Sequence, residues 1–206
     1  QALPGRPLRQ VIEDPAAQLP DPSGLVDLLE TLASADVGNQ TREGTVDGAL
    51  RHARLMHAVT PDLGPRIDAL VDRLVRYSSP APLVPVHGDF HSSQIMVRDG
   101  IVTGVIDIDT AGLGERVDDV ANLLAHIAVI AEANATTRDR ATAYGAELAR
   151  RFDLLVDPRQ MRLRVSAAIL GYAAGPFRVQ ERNWRDRIER RVHLAEQWME
   201  SATGIR

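Results

Sequence analysis

The strongest constraint on the fold is a change in the spacing of apolar residues near the centre of the chain. On both sides of this point, apolar residues recur at the three- and four-residue intervals of amphipathic helices. Between them, Leu83–Val86, Gln94–Arg98 and Ile101–Ile106 are short apolar segments, which is typical of strands. Asp99-Gly100 separates the last two segments, and this dipeptide favours a two-residue hairpin turn. The sequence therefore predicts a β-hairpin inserted into a helical protein.

The rest of the chain is predicted to be largely helical, because its apolar residues keep the helical spacing. The expected helices cover residues 24–35, 46–59, 61–77, 117–133, 137–153, 158–174 and 182–202. Asp62 is a candidate N-cap of the third helix, and Pro65 falls in its first turn, where a missing N–H is tolerated. The expected fold class is mainly α, with a small β-hairpin insert near residues 83–106.

The first 24 residues carry five prolines. Proline fixes the backbone and removes an N–H donor, so this segment is predicted to be irregular and extended. Within it, Ala2–Leu8 is expected to form a turn. We expect residues 1–20 to be a lead-in to a helical domain that covers residues 21–206.

Composition excludes several kinds of site. The chain has no cysteine, which excludes disulfides, thiolate metal sites and a cysteine nucleophile. All 24 basic residues are arginines, so this chain alone could not complete a reaction that requires a lysine amine. The net charge is −4 and no apolar run reaches the roughly 18 residues of a membrane span, so neither nucleic acid nor membrane is expected as a partner. Without a basic-then-apolar leader, a cytoplasmic location is expected.

Oxygen-bearing side chains surround the predicted hairpin. Asp89 lies in the loop before it, Gln94 opens its first strand and Asp107 follows its second strand. Because a hairpin returns on itself, Gln94 and Asp107 are expected to be neighbours, with Asp89 at the same end. Such oxygen ligands suit a hard cation such as Mg²⁺, which keeps places for phosphate and water. An aspartate beside this ion could orient a hydroxyl and take its proton during phosphoryl transfer.

The order and spacing of these residues resemble a known family, the aminoglycoside phosphotransferase and choline kinase-like enzymes. That family's pattern is HGDxxxxN, a hairpin, an ID step, then a glycine shortly before D-[LV]-A. The matching elements of this chain are His87-Gly88-Asp89, Gln94, Ile106-Asp107, Gly114 and Asp119-Val120-Ala121. The resemblance covers about residues 84–126 and implies the C-terminal lobe of a protein-kinase-like fold, with residues 1–20 similar to the family's hinge.

The resemblance also implies roles for individual residues. Asp89 would be the catalytic aspartate and Asp107 the main metal ligand. Gln94 would be the second metal ligand, in a position where the family usually has asparagine, so that the amide oxygen is kept on a longer side chain. Gln94 and Asp107 would together hold the Mg²⁺ and ATP cofactors. His87 would brace the loop, and Asp119 would hold the loop backbone from the helix that follows.

Other interpretations stay open at several of these positions. His91 would either support the loop or contact the substrate. Asp109 would either face the substrate, act from a second layer around it, or only cap the next turn. Taken alone, Asp89 could be a turn residue that accepts backbone N–H groups. His87, Asp89 and His91 also form an HxDxH pattern that would suit a zinc hydrolase, although this leaves the aspartates after the hairpin unexplained.

The elements that cover nucleotide phosphates in kinases are missing from the sequence. It contains no GxGxxG, no GxxxxGK[ST] and no lysine. We therefore expect the N-terminal, nucleotide-covering lobe to be absent from this chain. We also expect the 206 residues alone to have little kinase activity.

The expected function is transfer of the γ-phosphate of ATP to a hydroxyl of a small molecule, such as a sugar, an antibiotic or an amino alcohol. Residues 157–206 carry 10 arginines against 6 acidic residues, a net charge of +4. The resemblance implies that these helices help to line the acceptor site, and a basic lining favours a neutral or anionic acceptor over a polycation. The alternative is a non-catalytic kinase-like binding module that has kept the fold and lost the transfer.

Overall fold

The computed structural model describes residues 3–204, so the Ala2 end of the predicted turn and the last two residues of the predicted domain lie outside the described residues. The helices are α1 Leu8–Glu13, α2 Pro22–Ala33, α3 Thr45–Val59, α4 Gly64–Tyr77, α5 Arg116–Ala133, α6 Arg138–Phe152, α7 Pro158–Ala173, α8 Gly175–Arg178 and α9 Trp184–Thr203. Short 3-10 turns cover Pro61–Leu63 and Ile108–Thr110. Within this part of the chain, no helix combines the length and the apolar character needed to cross a membrane.

The strands form two small antiparallel sheets. They are β1 Arg6–Pro7, β2 Leu83–Val86, β3 Ile95–Arg98, β4 Ile101–Val105 and β5 Gly112–Glu115. One sheet has the order β1-β3-β4, and the other pairs β2 with β5. Asp99 and Gly100 connect β3 to β4 with positive φ angles of 52° and 73°, as a tight hairpin turn with two left-handed residues requires. The predicted hairpin and the mainly helical fold class are confirmed.

Strand β5 was not predicted, and it separates β2 from the hairpin. Leu83 pairs with Glu115 and Val86 pairs with Gly112, so β2 belongs to a different sheet from β3 and β4. Glycine has little strand propensity, which hid β5 in the sequence. The close pairing of β2 with β5 nevertheless requires a glycine at position 114, because a Cβ atom at Gly114 would lie 2.7 Å from the Val86 side chain.

The prediction of an irregular lead-in is wrong for much of the first 24 residues. Leu8–Glu13 forms a helix, and Pro22 is the first residue of another. Leu8, Val11 and Ile12 are at most 2% exposed. Their i, i+3, i+4 spacing places them on one helical face that packs into the core. Pro7 is the N-cap of α1 and Pro22 is the first residue of α2, positions where the missing N–H is tolerated, so these prolines do not prevent helix formation.

The helix predicted over residues 61–77 begins later than expected. Pro61–Leu63 is a 3-10 turn and α4 starts at Gly64, with Pro65 in its first turn as predicted. Asp62 lies inside the 3-10 turn, and Leu63 occupies the N-cap position without a side-chain hydrogen bond. The prediction that Asp62 caps this helix is therefore wrong, because the tighter turn moves the cap by one residue.

The core is built around α5, α7 and α9. Helix α7 packs on α3, α5 and α9, and α6 covers the outer side of α5. The middle of α7 is buried on all sides, from Leu163 to Leu170, so it is the central helix of the domain. This packing places the first turn of α5 against the loop that connects β2 to β3.

Candidate active site

The loop between β2 and β3 begins with a fully buried histidine. The Nε2 atom of His87 lies 2.9 Å from the carbonyl oxygen of Ile106, and the backbone N–H of Asp89 donates to Nδ1 at 3.3 Å. A ring nitrogen that accepts an N–H carries no proton, so Nε2 is the donor to Ile106. His87 is thus a brace between this loop and the end of the hairpin.

Asp119 holds the backbone of the same loop from helix α5. Its carboxylate oxygens accept the backbone N–H of His87 at 2.7 Å and of Gly88 at 3.0 Å, and the residue is 3% exposed. Burial raises the pKa of Asp119 to about 7, although the two N–H donors act in the opposite direction. The two hydrogen bonds fix the turn that presents Asp89.

Glycine is required at the middle of the HGD sequence. Gly88 has a φ of +81°, and a Cβ atom there would lie 2.5 Å from the carbonyl oxygen of Thr110. The hydroxyl of Thr110 also donates to the carbonyl oxygen of His87 at 2.9 Å. The loop is therefore packed tightly against the segment that follows the hairpin.

The Asp89 side chain points away from this packed backbone and is 45% exposed. Its Oδ2 atom lies 3.5 Å from Nε2 of His91, and its Oδ1 atom accepts the amide of Asn122 at 3.4 Å. The hydrogen bond from His91 is the largest cause that holds the pKa of Asp89 below its usual value; burial opposes it and Asn122 adds to it. Asp89 is therefore ionised at neutral pH and can accept a further hydrogen bond from a hydroxyl.

A cavity of about 310 Å³ adjoins the Asp89 carboxylate. Helix α3, the HGD loop, the start of α5 and the end of α7 supply most of its walls. Side chains that line it include Arg42, Thr45, Arg51, His52, Asp89, Asn122, Tyr172 and Arg178. Its volume is at the lower end of the roughly 300–1,000 Å³ of cavities that bind small molecules.

Gln94 and Asp107 lie together at the open end of the hairpin. The amide nitrogen of Gln94 donates to Oδ2 of Asp107 at 2.9 Å, and the backbone N–H of Ile106 donates to the carbonyl oxygen of Gln94 at 2.9 Å. Asp107 has a left-handed backbone (φ 61°, ψ 49°), which aspartate adopts more readily than most residues, and it is exposed. Within residues 3–204, no hydrogen bond or ion pair joins Asp89 to Gln94 or Asp107. Of the three residues, Gln94 and Asp107 are therefore the two that are directly hydrogen bonded to each other.

The two residues with open roles lie in different surroundings. His91 is partly buried; its Nδ1 accepts the N–H of Ser93 at 3.2 Å, so Nε2 is the donor that faces Asp89. Asp109 is exposed, and its carbonyl oxygen accepts a hydrogen bond from Arg42 at 3.4 Å. The structure thus places His91 against Asp89 and leaves the Asp109 carboxylate facing solvent.

The zinc interpretation of the HxDxH pattern finds no support. Nε2 of His87 is directed to a backbone carbonyl, not toward His91. In the part of the chain that the structure describes, no group of three or more His, Asp or Glu side chains could hold a metal ion.

Two residues at the cavity were not identified from the sequence. The hydroxyl of Tyr172 donates to Oδ1 of Asn122 at 2.6 Å, and Asn122 in turn donates to Asp89. Asn122 comes three residues after Asp119, so both lie on the same face of α5, and this spacing is the signal that could have found it. No such local signal exists for Tyr172, because 50 positions separate it from Asn122.

A buried arginine fixes the other wall of the cavity. The side chain of Arg164 on α7 is 6% exposed and contacts Glu115 at 2.6 Å and Asp118 at 3.3 Å. The hydroxyl of Thr45 at the start of α3 also donates to Asp118, at 2.6 Å. These contacts tie α3, α5 and α7 together beside the HGD loop, and the one guanidinium offsets one of the two carboxylate charges there.

Comparisons with known proteins identify the family and the fold of the chain. The family model described as "Phosphotransferase enzyme family" matches residues 1–163. The chain is similar to the crystal structure of a thermostable mutant of aminoglycoside phosphotransferase APH(4)-Ia, with 18% identity and a TM-score of 0.64 over 99% of this chain and 72% of that one. It is also similar to a choline/ethanolamine kinase family protein from Mesorhizobium loti, with 13% identity and a TM-score of 0.57 over 96% of this chain and 66% of that one. A search of curated proteins gave no match.

Proposed function

Because this chain belongs to the phosphotransferase enzyme family, we propose that it transfers the γ-phosphate of ATP to a hydroxyl of a small molecule bound in the cavity beside Asp89. The observation that carries the proposal is the position of Asp89. Its backbone N–H is held by His87 and the two preceding residues are held by Asp119, while its carboxylate adjoins a cavity large enough for one sugar ring or amino alcohol.

Asp89 has the properties that this reaction needs. Both of its oxygens face a donor, one on His91 and one on Asn122, which orients the carboxylate. Each oxygen keeps a free lone pair, so an acceptor hydroxyl can donate to Asp89 and align with the phosphate. The lowered pKa makes Asp89 a weak base, which suits a reaction in which the hydroxyl proton is taken late.

Gln94 and Asp107 suit a bound Mg²⁺. One exposed carboxylate and one amide oxygen are the kind of sparse oxygen set that Mg²⁺ accepts from proteins when phosphates supply other ligands. When bound, Mg²⁺ would neutralise charge on the phosphates. The amide nitrogen of Gln94 now faces Asp107, so Gln94 must turn its amide over before its oxygen can serve as a ligand.

Related structures support the use of a nucleotide. A ternary complex of the thermostable mutant of APH(4)-Ia contains AMP-PNP and hygromycin B. We propose that the present chain likewise works with ATP and a hydroxyl-bearing acceptor. The missing lysine and glycine-rich loop would be supplied by an N-terminal lobe, and the enzyme is proposed to act in the cytoplasm.

The charges around the cavity bear on the acceptor. Arg51 is paired with Glu43, and Arg164 is shared by Glu115 and Asp118, so it compensates one of these two negative charges. Within the described part of the chain, no carboxylate pairs with the remaining arginines of the lining, Arg42 and Arg178. Asp89 and one of the two carboxylates that share Arg164 are also left without a compensating charge, so these two positive charges are balanced within the lining.

We infer that the acceptor is neutral or anionic from the net charge of +4 on residues 157–206, which supply part of the cavity wall. Arg178 belongs to this segment and lines the cavity, where it would repel a polycation. The inference is tested by comparing glucose, glucuronate and glucosamine as acceptors in the full-length protein. Transfer to the first two should be more efficient than to the amine, and the reverse ranking would reject a neutral or anionic acceptor.

The alternative is a kinase-like binding module that does not transfer phosphate, and one substitution separates the two functions. Asp89→Asn should abolish transfer and leave nucleotide binding unchanged, because an amide cannot take the hydroxyl proton. The matched control is Asp72→Asn, an exposed aspartate on α4 outside the cavity lining, which should keep full activity. Unchanged kcat in Asp89→Asn would mean that Asp89 is a turn residue. Nucleotide binding without any turnover in the wild type would favour the binding module.

A further inference from the structure

Asp89 is the end of a short chain of hydrogen bonds that leads into the core. Asn122 donates from its amide nitrogen to Oδ1 of Asp89 at 3.4 Å and accepts the hydroxyl of Tyr172 at its own oxygen, at 2.6 Å. The amide thus links the candidate catalytic carboxylate to the last turns of α7.

The two ends of this chain determine which way the Asn122 amide lies. A separation of 2.6 Å is normal for an O–H···O hydrogen bond and short for one that involves an amide nitrogen. Burial raises the pKa of Tyr172, so its hydroxyl keeps its proton and remains a donor. If the amide turned over, its oxygen would face the Asp89 carboxylate, and two acceptors would be in contact.

Tyr172 is itself fixed at both its backbone and its ring. Its carbonyl oxygen accepts Nη1 of the buried Arg191 at 2.7 Å. Its ring packs against the imidazole of His126, with centroids 5.6 Å apart. His126 is neutral, because burial lowers its pKa to about 3, and its Nδ1 is hydrogen bonded to the hydroxyl of Ser92 at 2.7 Å. The hydroxyl of Tyr172 is therefore held at a defined place by residues of the core.

We propose that Tyr172 and Asn122 are positioning residues for phosphoryl transfer: the Tyr172 hydroxyl fixes the orientation of the Asn122 amide, and this amide orients the Asp89 carboxylate toward the acceptor hydroxyl. The inference rests on the proposed function, in which Asp89 acts on that hydroxyl. Tyr172 acts only through Asn122, so its contribution depends on the amide being present.

The test combines a titration that needs no substrate with a double-mutant cycle. The carboxyl carbon of Asp89 is followed by ¹³C NMR in the full-length protein, and its signal is assigned as the one that Asp89→Asn removes. Tyr172→Phe and Asn122→Ala should each raise the pKa of Asp89, by about one unit, a tenfold change in proton affinity. Both should lower kcat about tenfold and change the nucleotide KM little. The double variant should behave as Asn122→Ala alone.

The structure offers a matched control for the loss of a buried hydroxyl. Tyr144 on α6 is 3% exposed, and its hydroxyl has no hydrogen-bond partner among residues 3–204. Tyr144→Phe should leave both the titration of Asp89 and kcat unchanged.

Two results would overturn the proposal. One is a pKa of Asp89 that does not move in Tyr172→Phe and Asn122→Ala. The other is a double variant whose effects multiply, which would show that Tyr172 acts independently of Asn122. Failure of the proposed function would look different: the wild type would bind nucleotide without turnover, or Asp89→Asn would keep its transfer activity, whatever the titration shows.

Discussion

Removal of the Asp119 carboxylate is the sharpest test of how the site is assembled. In Asp119→Asn, one carboxylate oxygen becomes an amide NH₂ that cannot accept a backbone N–H. Either the N–H of the buried His87, now bonded at 2.7 Å, or that of the exposed Gly88, now bonded at 3.0 Å, is left without its partner. Such an unsatisfied buried donor costs about 1–3 kcal/mol. Asp119→Ala removes both acceptors, so the buried N–H of His87 is always left unsatisfied and this variant should cost more than Asp119→Asn, at the upper end of that range.

The loss of stability in Asp119→Asn should depend on pH, and the direction of this dependence follows from the pKa of Asp119. Burial raises the pKa of Asp119 to about 7 in the folded protein, from 3.8 as its ordinary value. A raised pKa means that the folded state binds the Asp119 proton more tightly than the unfolded state does, so protonation of Asp119 stabilises the fold. This contribution to the unfolding free energy is complete below pH 3.8 and is lost as the pH rises to about 7. The amide introduced by Asp119→Asn does not titrate. The difference in unfolding free energy between the wild type and this variant should therefore be larger at pH 5 than at pH 8.

The assay is urea unfolding of the wild type and both variants at pH 5 and pH 8, together with phosphate transfer at neutral pH. Asp139→Asn is the matched control, since Asp139 lies in the first turn of α6 but is exposed, and it should change the unfolding free energy little. If Asp119→Asn unfolded like the wild type at pH 5 and kept its activity, Asp119 would not hold the loop.

Two further predictions concern the residues around this loop. Gly88→Ala should cost more than Gly38→Ala: both glycines have positive φ (+81° and +70°), but only at Gly88 would the Cβ atom meet a backbone oxygen, that of Thr110 at 2.5 Å, whereas nothing lies within 4 Å at Gly38. We expect about 1–2 kcal/mol at Gly38 from the backbone alone and a larger loss at Gly88, measured by urea unfolding; equal losses would contradict the tight packing of the loop. In a calorimetric Mg²⁺ titration of ATP binding to the full-length protein, Asp107→Ala should remove most of the Mg²⁺-dependent affinity, and Gln94→Ala should only raise the Mg²⁺ requirement. The opposite ranking would place the metal elsewhere.

Local sequence determined most of the elements. Apolar spacing gave the positions of the long helices to within a few residues, because burial of one helical face requires that spacing. Asp99-Gly100 gave the hairpin, since few dipeptides adopt two consecutive left-handed conformations without strain. The hairpin in turn fixed the nearness of Gln94 and Asp107, which are neighbours in the structure.

The motif also indicated which residues surround the loop, though not their contacts. The position of Asp119 in the D-[LV]-A element pointed to the loop backbone, and the structure supplies the two N–H groups that it accepts. The expected meeting of three oxygen-bearing side chains was only partly realised, because Asp89 contacts His91 and Asn122 and, among the described residues, has no direct contact with Asp107. Such contacts depend on the direction in which the loop runs, and this direction cannot be read from the spacing of residues along the chain.

The sequence by itself therefore determined a mainly helical domain with a central hairpin, and it identified the HGD loop as the place where chemistry is expected. The tertiary structure decided what completes that place: β5 beside β2, Asn122 next to Asp89, and Tyr172 behind Asn122. The physical reason is the range of the interactions. Helical periodicity and turn conformation depend on residues a few positions apart, whereas hydrogen bonds across 33 and 50 positions form only after α5 and α7 have packed together.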